Sequence, residues 1–204
     1  YTINSAVVAG GSTFIALVLG VPAAYGISKA KSRGMLAFVL IARMTPALSY
    51  LIPWFIMFRA VGLNNTLTAL VITHLVIGLP VVIWVMVGFF DGLPRDLDEA
   101  AAVDGASPWQ AFWHVALPLG RPGIVVGALL AFIFSWNNFI FAVVLAGRET
   151  RTLPVLVFNT LTFERLAFGP LAAAAILVTL PVLIVTVLVQ RQIVVGMTAG
   201  AVKS

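Results

Sequence analysis

A chain of 204 residues that is 61% hydrophobic and 9% charged, at a mean hydropathy of +1.10, is far more apolar than a soluble globular domain. Its formal charge of +5 does not make it a nucleic-acid binder, because the basic residues are scattered along the chain and form no patch. With no cysteine there is no disulfide, no cysteine-ligated zinc and no thiolate nucleophile.

The expected fold class is all-α and polytopic, with five transmembrane helices around one polar interruption. The first span is expected at residues 5–27, long enough to cross a ~30 Å hydrocarbon core. Gly10, Gly11, Gly20 and Ala24 offer small faces for close helix packing, and Pro22 predicts a kink. Lys29, Lys31 and Arg33 follow, and by the positive-inside rule they mark a cytoplasmic turn. The second span, 35–58, contains Pro46, Pro53 and Arg43. Arg43 lies roughly 12–15 Å in from the basic turn, deep enough that its charge needs a partner. It either touches solute or gates a pathway, or it bonds backbone carbonyls freed at Pro46. After a short outer turn at 59–66 comes a third span, 67–90, with His74 in its outer half and Gly78 and Pro80 expected to bend its middle. His74 is read either as a packed hydrogen-bonding group or as a ligand.

Residues 91–122 interrupt the apolar pattern and hold five of the seven acidic residues, Asp91, Asp96, Asp98, Glu99 and Asp104. Their density of helix signals predicts a structured segment outside the membrane. Pro94 suits a first helical position, and Asp96, Asp98 and Glu99 then sit at the positive end of the helix dipole. Gly105 is placed to end that helix in a left-handed cap. Ser107, Pro108 and Gln110 spell the capping box of a second helix running to about Val115, before Leu117-Pro118. A helix–turn–helix at one membrane face is the result.

The fourth span is expected at 123–146, with Gly123 and Gly127 as a small-xxx-small pair. Within it, Asn137 and Asn138 must find partners or line a cavity. Residues 147–168 form the longest outer segment, apolar enough at 153–158 to fold back on the membrane face or on a partner. The fifth span is expected at 170–189, bent at Pro181 and closed by Gln190-Arg191-Gln192. With the basic turn inside, Lys29, Lys31, Arg33, Arg95, Arg121, Arg191 and Lys203 lie on the inner side, outnumbering Arg59, Arg148, Arg151 and Arg165 on the outer side. The C-terminus is then cytoplasmic and the N-terminus outside. An upstream sixth span is expected to be missing from a chain that starts at Tyr1.

Glu99-Ala100-Ala101, Asp104-Gly105 and Leu117-Pro118 resemble the EAA loop of the permease subunits of binding-protein-dependent ABC importers. The resemblance runs over nearly the whole chain. It is closest to the maltose-type carbohydrate group through Gly-Leu-Asn-Asn-Thr at 62–66, the Trp136-Asn137 pair and the tail at 196–204. It implies that Glu99, Ala100, Ala101, Asp104 and Gly105 form a coupling helix that docks on a cytoplasmic ABC ATPase dimer. It further implies a second permease subunit, an extracytoplasmic solute-binding protein, a sugar or oligosaccharide as solute and the lipid bilayer of a bacterial or archaeal cytoplasmic membrane as setting. No cofactor or metal is implied. Arg43, His74, Asn137 and Asn138 are the residues placed to line a pathway. The alternatives are an importer permease for glycerol phosphate, an amino acid or a peptide, and an ion-coupled secondary transporter. The last would want carboxylates inside the spans, and none of the five expected spans holds Asp or Glu. No Gly-x-x-x-x-Gly-Lys-Ser/Thr loop is present for ATP. An intramembrane enzyme would want a nucleophile–base or metal constellation, which the placement of His74 and His114 on opposite sides does not offer.

Overall fold

The computed structural model describes residues 1–94, 96–160 and 168–201. Helices α1 (Thr2–Lys29), α4 (Leu67–Asp91) and α8 (Arg121–Trp136) pack on one another as the centre, and α11 (Phe168–Ala201) lies on α8. Helix α2 (Arg33–Met44) packs on α4, while α3 (Ala47–Ala60) meets the short α9 (Ile140–Leu145), and α10 (Leu153–Thr160) leans on α11. Helix α1 and helix α4 are each long and apolar enough to cross a membrane. The α2–α3 pair and the pair made by Pro108–Leu119 with α8 pass the same test together, and Leu171–Val187 is a shorter apolar helix. The expected class, all-α and polytopic, is the one observed.

Three stretches differ in form from single straight spans. Residues 35–58 are two helices bent by 81°. The residue before a proline is pushed out of the α region, and Thr45 accordingly sits at ψ 124 ahead of Pro46. Within 123–146 the helix stops at Trp136 and resumes at Ile140, because two asparagines offer the backbone other partners. Asn137 donates from Nδ2 to the Ile133 carbonyl at 2.9 Å, and Asn138 Oδ1 accepts the Phe141 N–H at 3.3 Å. Helix α11 runs past residue 189 into the tail, so Gln190-Arg191-Gln192 does not close it. Pro22 and Pro80 sit inside the unbroken helices α1 and α4.

Two larger buried clusters, and a smaller one of Ala9, Trp136 and Leu153, fill the bundle. One joins Ala16, Ala24 and Ile27 of α1 to Val82, Met86 and Phe90 of α4. The other joins Val8, Leu51, Leu70, Phe141 and Leu145. Since lipid is as apolar as a leucine side chain, close packing of small residues carries much of the association between such helices. Ala24 is buried against α4, whereas Gly10 is exposed. Of the two glycines that α8 turns to α4, Gly123 is the more closely packed: an added Cβ would lie 2.6 Å from Phe89 Cγ, whereas at Gly127 the nearest atom would be 3.8 Å away.

Gly123→Ala is therefore expected to destabilise the detergent-solubilised protein by about 1–3 kcal/mol through overpacking. Gly127→Ala should leave the melting temperature unchanged or raise it, as helix propensity favours alanine by roughly 1 kcal/mol. Thermal melts of the two variants check this, and equal behaviour would remove the close approach as a constraint.

Candidate functional site

The polar segment after α4 folds as a tightly capped helix pair. Helix α5 (Asp96–Val103) starts two residues after Pro94, whose carbonyl accepts the Leu97 N–H, so the proline precedes the helix and is not its first residue; Arg95 lies outside the described residues. Its end is a Schellman motif. Gly105, at φ +82, donates to the Ala102 carbonyl at 3.1 Å, and Ala106 donates to the Ala101 carbonyl at 2.9 Å. Nothing lies within 4 Å of where a Gly105 Cβ would stand, so the glycine answers to backbone conformation alone. Glu99, Ala100, Asp104 and Gly105 are exposed and Ala101 is buried, so the C-terminal half of the helix is a thin run of alanines behind the Glu99 carboxylate.

The second helix opens with the reciprocal capping box. Ser107 N–H donates to Gln110 Oε1 at 2.8 Å, and Gln110 N–H donates to Ser107 Oγ at 3.3 Å. It does not stop at Val115. After α6 (Pro108–Ala111) the chain passes through a π turn, Phe112–Ala116, and then α7 (Leu117–Leu119), ending at Gly120. The π turn admits Pro118 without breaking the helix, since the wider turn re-pairs the backbone as Leu117 N–H donates to the Phe112 carbonyl. The run Pro108–Leu119 then meets α8 at a bend of 75°.

Aromatic rings root this element in the bundle. Phe112 is 1% exposed and belongs to the α1–α4 cluster. Its ring centroid is 5.2 Å from that of Tyr25, which in turn lies 5.5 Å from Phe90 in an edge-on contact. Trp109 stacks on the outer side of Phe112 at 5.3 Å. The composition of the sequence hinted at none of this, because Tyr25, Phe90 and Phe112 come from three separated segments.

The four intramembrane polar positions do not meet. His74, 2% exposed, bonds through Nδ1 to Ser135 Oγ at 2.7 Å, and Ser135 bonds Ser12 Oγ at 2.9 Å, so the row Ser12–Ser135–His74 ties α1, α8 and α4 together. His74 thus packs as a hydrogen-bonding group through Nδ1, while its buried Nε2 has no hydrogen-bond partner. Arg43 is half-buried with its guanidinium 5.2 Å from the Phe134 ring centroid, a cation–π contact in place of the carbonyl bonds that were one of its two readings. Asn138 is spent on the Phe141 N–H. Asn137 borders a cavity of about 440 Å³ shared with Phe139, Val157, Phe158, Val178 and Thr179. Beside it the buried Trp136 donates from Nε1 to the Val178 carbonyl at 2.9 Å, in the turn of α11 that Pro181 loosens. The serines of the buried row passed unremarked in the sequence, where a hydroxyl in an apolar run gives little signal.

The outer segment folds onto its own bundle. Asn4 Nδ2 donates to the carbonyls of Glu149 and Arg151 at 2.7 and 2.9 Å, and the Leu153 N–H donates to Ser5 Oγ at 2.8 Å. Leu153 and Val155 are buried; Glu164 and Arg165 lie outside the described residues.

Two measurements bear on these groups. Gly105→Ala forces a side chain into the left-handed region at a cost of roughly 1–2 kcal/mol, so amide exchange at Ala106 should quicken by about tenfold. Ser135→Ala leaves the buried Nδ1 of His74 without a partner and takes from the Ser12 hydroxyl one of its two, the other being the Ala9 carbonyl at 3.2 Å, which costs about 1–3 kcal/mol. Its melt should fall further than that of Thr186→Ala, whose hydroxyl bonds only its own helix at the Val182 carbonyl.

Residues 16–198 match the family described as the binding-protein-dependent transport system inner membrane component. The chain is 39% identical over 208 residues to the trehalose transport system permease protein SugB of Mycobacterium tuberculosis, spanning 98% of this chain and 76% of that protein. It is 35% identical to the trehalose/maltose transport system permease protein MalG of Thermococcus litoralis, over 100% and 75% of the two chains. Among solved structures, the MetNI methionine ABC transporter in an inward-facing form superposes with a TM-score of 0.79 at 20% identity, over 97% of this chain and 94% of that one. A bacterial ABC transporter involved in import of the acidic polysaccharide alginate superposes at 0.67 with 26% identity, over 93% and 72%. A capped helix pair rooted in an all-helical membrane bundle, together with these matches, makes the chain a member of the binding-protein-dependent ABC importer permeases.

Proposed function

We propose that this permease moves a sugar or oligosaccharide across a bacterial or archaeal cytoplasmic membrane, with its C-terminus and the segment 91–122 on the cytoplasmic side. As an importer permease it works with a separate ATPase and a substrate-binding protein. The finer reading is that it pairs with a second, different permease and that α5 docks on one subunit of an ATPase dimer. It then has no catalytic residue of its own, and ATP is hydrolysed by the separate subunit.

The observation that carries this reading is the rooting of the capped helix pair through Phe112, Tyr25 and Phe90 into α1 and α4. A displacement of α5 by an ATPase is passed by packed rings to the two central spans, a rigid-body mode of switching. The exposed Glu99 offers a carboxylate to a basic partner, and the exposed Ala100 allows close approach. The sugar assignment rests on the trehalose and maltose relatives and on the cavity at the end of α8. There an amide and a hydroxyl, Asn137 and Thr179, stand beside the rings of Phe139 and Phe158, whose centroids are 5.1 Å apart. Such a mix suits a solute with hydroxyl groups and apolar C–H faces. In this reading Asn137 lines the pathway, Asn138 shapes the turn into α9, His74 positions the spans and Arg43 braces α2 on α8.

Uptake in proteoliposomes holding the whole importer tests both halves. Glu99→Lys removes a charge-assisted contact and adds a like charge, which should weaken ATPase binding at least about tenfold and stop uptake while leaving the chain inserted. Normal transport by that variant would sink the docking assignment. Asn137→Leu should raise the half-saturating sugar concentration several-fold with the ATPase still bound; an unchanged value would take Asn137 off the pathway.

A further inference from the structure

We propose that the cleft between the cytoplasmic ends of α1, α2 and α4 binds a phosphate-bearing anion, the headgroup of an anionic phospholipid. The cleft has a volume of about 470 Å³ and is amphipathic. Its rim carries Lys29, Lys31, Arg33, Ser28 and Ser32. Its floor is apolar, built from Ile27, Leu36, Val87, Phe90 and Leu93. These residues sit where two spans end and a third begins, at the boundary between hydrocarbon and water, so a headgroup and the first methylenes of its chains meet surfaces of matching character.

The backbone of the turn points the same way. Helix α1 ends in a Schellman motif, with Lys31 N–H donating to the Ser28 carbonyl and Ser32 N–H to the Ile27 carbonyl, both at 3.1 Å. The left-handed position of such a motif belongs by preference to glycine, yet here it is held by Lys31 at φ 50. A lysine kept in a strained conformation at the mouth of a cleft points to a use for its charge. The bonds of the motif fix its backbone, and Arg33 follows two residues on at the start of α2.

Two carboxylates also line the cleft, Asp91 and Glu99. Asp91 accepts a hydrogen bond from the Ser28 hydroxyl. The three cations outnumber the two carboxylates, which leaves the lining net positive; Lys29 also lies 5.6 Å over the Tyr25 ring, so the anion is assigned to Lys31 and Arg33. Glu99, carried by α5, is the chain's own competitor for it.

The test uses the complete importer in phosphatidylcholine nanodiscs with a spin-labelled phosphatidylglycerol or phosphatidylcholine tracer. Wild type should immobilise the anionic tracer in preference to the zwitterionic one. Lys31→Gly removes one cation and relieves the backbone, so it should melt no lower than wild type while losing about fivefold in that preference. Arg33→Gln should lose a similar factor, and Arg33→Lys should keep it. Equal preference in wild type, Lys31→Gly and Arg33→Gln would overturn the site. Displacement of the tracer by inorganic phosphate at the ionic strength of a chloride control would overturn the lipid as its source and make the cleft a free-phosphate site.

Discussion

Three spans of this permease share one buried hydrogen-bonded row, Ser12 on α1, Ser135 on α8 and His74 on α4. In hydrocarbon an unpaired polar group has no water to turn to, so each member of the row constrains the other two. The row fixes how the helices are rotated about their axes, and the small residues then let the backbones approach. Around this centre the remaining elements are braced from outside. Asn4 and Ser5 at the start of α1 hold the outer segment, and Trp136 at the end of α8 holds α11.

The polar segment inherits its orientation from the same centre. Because Phe112 is packed on Tyr25 and belongs to the cluster containing Val82 and Met86, the helix pair is an extension of the α1–α4 core. Local caps shape the two helices, and tertiary packing aims them. This division of labour explains how α5, only eight residues long, is closed at its ends by a Schellman motif on one side and the turn at Pro94 on the other.

What was legible in the sequence follows this division. Gly105, Ser107 and Gln110 announce their structure because each cap links groups within a few residues of one another. The all-helical membrane class is equally plain, since hydropathy reports on the lipid. The break at Pro46 was harder to place: apolar runs lie on both sides of Thr45 and Pro46, so a bend of 81° reads as one span. The same limit hides the length of α11, where helix continues beyond the apolar run. Partners are hardest of all. Ser12 and Ser135 are separated by 123 residues and His74 and Ser135 by 61, and periodicity carries no record of such pairs. At the polar segment, the residue types were readable, but the aromatic rooting and the cleft shared by Glu99 with the basic turn were not.

The π turn at Phe112–Ala116 has a consequence for where α5 points. A π turn holds one residue more than an α turn, and one residue corresponds to about 100° of rotation around a helix axis. Everything on the N-terminal side of Phe112, including Ser107 and the whole of α5, is therefore swung by more than a quarter turn relative to a plain α-helix leading out of α8. The heading of Glu99 is thus written in a residue count: a single deletion in this turn would preserve the caps of both helices and would turn the carboxylate through that same angle.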